Sequence, residues 1–102
     1  EISKLKEEVY LASTKLAERV KKFNIKSKSD VYINIEEDKL KVINGSEPEK
    51  KLYCDLDLRL LKRILYKKAH WNNAEIGTHI NFKRLPNKMD TDVHTCMSFF
   101  HL

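Results

Sequence analysis

The sequence predicts an α+β domain: a small antiparallel or mixed sheet covered by helices, in the order α-β-β-β-α-β-α. Three observations lead there. The first twenty-odd residues repeat apolar side chains at helical spacing. The segment from Val31 to Leu56 changes to period 2 in three short runs. Beyond Asp57, helical spacing returns, gives way to one more alternating run, and returns again. A pattern that switches between these two periods places helices against a sheet.

In the first helix, residues 2–23, Ile2, Leu5, Val9, Ala12, Leu16, Val20 and Phe23 follow steps of three and four and share one stripe. Tyr10, Leu11 and Ala17 widen that stripe, which suits a helix lying across a sheet. No Gly or Pro interrupts it. Residues 26–30 form a polar link. Val31, Ile33 and Ile35 then alternate with Tyr32 and Asn34, as a half-buried strand requires. Glu36 to Lys39 make a tight turn, and Leu40 and Val42 lie on one side of the second strand. Asn44-Gly45 is the clearest turn signal, read as a hairpin turn needing positive φ. Leu52, Cys54 and Leu56 share a face of the third strand, so the three strands are expected to form an antiparallel meander.

Asp57 is placed to cap a helix running to about Tyr66, with Leu58, Leu61 and Leu65 on its apolar side. Trp71-Asn72-Asn73 reads as a corner: a buried indole with amides that satisfy turn groups. Ile76 to Arg84 alternates again and forms the fourth strand, with Ile76, Thr78, Ile80 and Phe82 on one face. Pro86 ends it. Asp90 is placed to cap the final helix, whose stripe is Val93, Cys96, Met97 and Phe100.

At 102 residues the chain is one domain, 1–102. With 2 Gly and 2 Pro, collagen-like and low-complexity classes are excluded. No apolar run reaches the roughly 20 residues of a membrane span. The pattern at the start is helical and not that of a secretory signal, so a cytoplasmic location with reduced Cys54 and Cys96 is expected. The chain opens on Glu1 and not on Met, which predicts a piece of a longer protein.

The net charge of +5 is uneven: +4 over 1–28, −4 over 29–57, +7 over 58–88 and −2 over 89–102. Arg59, Lys62, Arg63 and Lys67 lead the most basic block, which continues through Lys68, Lys83, Arg84 and Lys88. Its functional reading is a face for an anionic partner or surface; such runs are more often plain solvated helix faces. Nothing resembles a nucleic-acid motif, and no nucleic-acid partner is expected.

Catalytic constellations are missing. There is no Gly-rich phosphate loop, no G-x-S-x-G and no H-E-x-x-H. Asp90 and His94 stand at i, i+4, a spacing that can chelate a metal, but Asp90 is committed as a cap, so no metal ligand is assigned. Cys54 and Cys96 both sit on apolar faces, where thiols are inert. The domain itself is therefore read as non-catalytic and without a cofactor. The apolar stripes leave one opening for function, a ligand cavity between sheet and helices. Trp71, Ile80, Phe82, Met97 and Phe100 are the candidate lining.

Two resemblances extend this. The element order, with Leu60-Leu61-Lys62-Arg63-Ile64-Leu65 followed by Ile76-Gly77-Thr78-His79-Ile80-Asn81-Phe82, resembles the sterol-carrier-protein type of domain. That resemblance implies binding of a lipid or other apolar molecule. The segments His70 to Gly77, Arg84-Leu85-Pro86-Asn87 and Phe99-Phe100-His101 look like the C-terminal tail of metallo-β-lactamase-fold hydrolase-like proteins. That likeness implies an upstream catalytic domain in the same chain, holding its own metal, with the present residues as an accessory domain.

Overall fold

The computed structural model of the protein describes residues 2–77, 79–86 and 91–102. Helix α1 spans Ile2–Lys22 and buries Leu5, Val9, Ala12 and Leu16. Strands β1 (Asp30–Ile35), β2 (Asp38–Ile43) and β3 (Lys51–Leu56) follow, then α2 (Leu58–Leu65), α3 (Trp71–Ile76), β4 (Ile80–Leu85) and α4 (Thr91–Met97). The α+β class and the predicted order hold, with α3 as a short additional helix.

The sheet is mixed, in the order β2-β1-β3-β4. β1 pairs antiparallel with β2 but parallel with β3, and β4 closes antiparallel on β3. The expected meander is thus corrected: β3 passes β2 and pairs on the far side of β1. The reason lies in the strands themselves. β1 carries Val31, Ile33 and Ile35, all fully buried, and gains most from two neighbours. β2 carries Lys39 and Lys41, and charged strands suit an edge. Residues 36–50, which include β2, provide the crossover length that a parallel pair needs.

Gly45 is the second correction. It has no positive φ and closes no hairpin. Instead the 44–47 segment lies against 27–30. The Gly45 N–H donates to Asp30 Oδ1 at 2.7 Å, Ser46 N–H to Ser27 O at 3.0 Å and Glu47 N–H to Lys28 O at 2.8 Å. A Cβ on Gly45 would run into the Lys28 carbonyl oxygen and the Ser29 carbonyl group. The glycine serves close backbone approach, not turn dihedrals.

Asp57 caps α2 as expected, accepting from the Arg59 N–H at 2.7 Å. Residues 71–76 are helical where a corner was expected. Trp71 is the buried anchor, but the amides lie exposed on α3, and the cap is His70, whose Nδ1 accepts from the Asn72 N–H at 3.2 Å. Consequently β4 starts at Ile80, and Gly77 sits in the turn after α3 instead of in the strand. Thr78, Asn87, Lys88 and the expected cap Asp90 lie outside the described residues.

One apolar cluster joins the inner sheet face to the helices, with Trp71, Phe100, Leu16, Leu61 and Met97 among its fully buried members. Arg19 fastens the last residues to α1: its guanidinium donates to the carbonyls of Phe99 at 2.9 Å and His101 at 2.7 Å. Tyr10, Leu11 and Ala17, expected to widen the α1 stripe, are exposed instead. A helix touches its support along a narrow strip, and these three residues lie off that strip.

Candidate functional site

The principal opening is a groove of about 840 Å³ between the C-terminal half of α1 and the edge strand β2. It follows from the corrected topology. Because β2 is the edge strand, the seam between it and α1 is open to solvent and not covered by a further strand. Leu16, Ala17 and Val20 form one wall, Val42 and Ile43 the other, and Ile25 lies in the segment after α1. Ala17 matters for the width, since a larger side chain there would project into the space.

The rim is polar and carries Glu18, Lys21 and Lys26, while the Lys41 ammonium lies over the Tyr32 ring, 5.6 Å from its centroid. Lys41 Nζ lies 3.4 Å from the Asp30 carboxylate. That carboxylate pushes the Lys41 pKa up. Asp30 itself is 4% exposed and also faces Lys51 at 3.8 Å. An apolar trough with a polar lip of mixed charge matches a molecule with an extended apolar body and a polar end.

A second, smaller hollow lies where α2 passes into α3. It has a volume of about 330 Å³ and is bordered by Lys67, Lys68, His70 and His101, with Trp71 and Phe100 behind them. Burial holds the His101 pKa below its usual value, and Arg19, Lys67 and His70 add repulsion. A third, of about 180 Å³, borders Lys51, Arg84 and His94.

The candidate residues fall as follows. Trp71, Ile80, Met97 and Phe100 are buried and Phe82 is half-buried. The Trp71 ring lies 6.3 Å from Phe82 and 6.4 Å edge-on from Phe100. They come together as packing between α3, β4 and α4, and none of them lines the α1–β2 groove. Arg59, Lys62, Arg63 and Lys67 are exposed on α2 and just beyond it, with Arg59 paired to Asp57 at 3.4 Å. Cys54 and Cys96 are buried and form no disulfide. His94 is buried against the Phe82 ring at 5.2 Å. Among the described residues no three His, Cys, Asp or Glu side chains are grouped to hold a metal. No helix among them is long and apolar enough to cross a membrane.

Comparisons with family models, curated proteins and solved structures find no match to this chain. The groove residues escaped the sequence reading because each half looks like ordinary core. The one available signal was excess: α1 has more apolar positions than a single contact strip can bury.

Proposed function

We propose that the chain is a non-catalytic accessory domain that takes an apolar or amphipathic ligand of the acyl-chain class in the α1–β2 groove. The observation behind this reading is the groove itself, apolar along its walls and polar at its lip. It differs from the internal cavity that the sterol-carrier likeness implies, because the space between sheet and helices is filled by Trp71, Phe100, Met97 and their neighbours. The parent protein, on the likeness of residues 70–77, 84–87 and 99–101, is a metallo-β-lactamase-fold hydrolase. A fluorescent fatty-acid probe is expected to bind one-to-one, to be displaced by unlabelled fatty acid, and to be lost in Ala17→Phe. No saturable binding, or binding unaltered by Ala17→Phe, removes the groove from consideration.

A second reading is an interaction module using the exposed cations Arg59, Lys62, Arg63 and Lys67. Among these only Arg59 has an ion-pair partner within the described residues. Charge reversal at Arg59, Lys62 and Arg63 is expected to abolish salt-sensitive binding of an anionic partner. Unchanged affinity rejects it.

A further inference from the structure

Two lysines and two histidines converge on the hollow of about 330 Å³ where α2 passes into α3. Lys67, Lys68 and His70 come from the connection between these helices, and His101 from the segment after α4. Among the described residues no carboxylate borders the hollow, and none of the four side chains has an ion-pair partner. The hollow shares no residue with the α1–β2 groove. Basic side chains at the end of a helix often serve its last carbonyls, but here backbone N–H groups already do so. The Arg63 carbonyl accepts from the Lys68 N–H at 2.7 Å, the Ile64 carbonyl from the Lys67 N–H at 3.1 Å and the Leu65 carbonyl from the Leu102 N–H at 2.8 Å. The two ammonium groups are therefore not consumed in closing α2. Each imidazole is held by one nitrogen. His70 Nδ1 accepts from the Asn72 N–H at 3.2 Å, which leaves the ring proton on Nε2. His101 Nδ1 lies 3.1 Å from the Leu102 carbonyl oxygen, which only accepts, so Nδ1 carries the proton and Nε2 is left to take up another.

We infer that this hollow binds the phosphoryl group of a small molecule, with Lys67 and Lys68 supplying charge and the Nε2 atoms of His70 and His101 supplying directed donors. The volume lies at the lower end of small-molecule pockets, which suits a compact ligand and not a polymer. Two ammonium groups side by side call for a dianion, and lysine meets phosphate as a point charge. The same lysines repel a metal cation, so the two imidazoles do not form a metal site. A bound dianion also favours the second proton on His101. Burial opposes that proton, and so do the charges of Arg19 from α1 and of Lys67 and His70 from the α2–α3 connection. Binding therefore takes up a proton at His101 Nε2. Sequence spacing hides this site, because His70 and His101 lie far apart in the chain. They meet only where the last residues are tied to α2 through the Leu65 carbonyl and to α1 through Arg19.

The test is an NMR titration of the 102-residue chain in low salt with inorganic phosphate, with phenyl phosphate and, as a monoanion control, with acetate. Both phosphates should give saturable shifts at Lys67, Lys68, His70 and His101. Tighter binding of phenyl phosphate assigns the source to a phosphate monoester, and equal binding assigns it to free phosphate. The titration midpoint of the His101 ring should rise by about one pH unit in saturating phenyl phosphate. The double variant Lys67→Gln/Lys68→Gln should weaken binding at least about fivefold. Lys62→Gln, on α2 but away from the hollow, should leave it unchanged. The ring titration uses the unmodified chain and stands even if a variant misfolds. Absence of saturation by about 10 mM phosphate overturns the inference. So does an unmoved His101 midpoint, acetate that shifts the same residues at the same concentrations, or Lys62→Gln that weakens binding as much as the double variant.

Discussion

Replacing Gly45 with alanine probes the contact that allows β3 to pass β2. The added Cβ meets the Lys28 carbonyl oxygen and the Ser29 carbonyl group, both backbone, so no flexible side chain can swing aside. Forcing a methyl into such a contact costs about 1–3 kcal/mol. Retreat of the 44–47 segment breaks the 2.7 Å bond from the Gly45 N–H to the Asp30 carboxylate, and hydrogen bonds to charged groups are worth about 1.5–3 kcal/mol. The chain relieves one cost by accepting the other, so they do not add fully; a loss of about 3 kcal/mol is expected. Against a stability of about 5–15 kcal/mol this is a large fraction. It corresponds to a fall in Tm of about 12–24 °C. Urea unfolding followed by circular dichroism should show a lower midpoint with an unchanged slope. Asp30→Asn acts on the same clamp, so the double variant should lose less than the sum of the two singles. A Gly45→Ala protein within about 0.5 kcal/mol of the parent, or strict additivity with Asp30→Asn, would refute the clamp.

Leu61→Ala empties a fully buried position in α2 and should cost about 2–5 kcal/mol in urea unfolding; the neighbouring Lys62→Ala should stay within about 0.5 kcal/mol. Asp57 has its pKa lowered, first by the Arg59 N–H it accepts and then by the Arg59 side chain. Its contribution is therefore complete above the ordinary carboxyl value of 3.8 and disappears as pH falls through the lower folded value. The stability advantage of the parent over Asp57→Asn should shrink across that window in acid unfolding; a constant gap would count against the cap's charge. His101, lowered from 6.5 by burial, favours the neutral ring in the fold. Stability tied to it is complete above pH 6.5 and declines as pH falls toward the folded value. His101→Gln should flatten this decline, and an identical pH profile would reject the assignment.

Local chemistry was legible. The limits of α1 and of β1 to β3 fall within a residue or two of the sequence reading, because period 3.6 and period 2 report which side of each element is dry. Asp57 was recognisable as a cap because the N–H groups it serves lie within its own turn. The region from Trp71 to Gly77 was harder: a six-residue helix is too short to establish a period, and its cap is a histidine ring.

What the sequence by itself determined was the element list apart from α3 and the inner face of each strand, since both depend on neighbours only a few residues away. Strand order belonged to the tertiary structure. Alternation marks a face as buried but says nothing of which strand lies alongside, so a meander and the observed β2-β1-β3-β4 order read identically. Only competition for the centre of the sheet, won by the apolar β1, placed β2 at the edge. That placement opened the seam against α1 into the groove, set Tyr32 beside Tyr53, and turned Gly45 from an expected turn residue into a point of backbone contact.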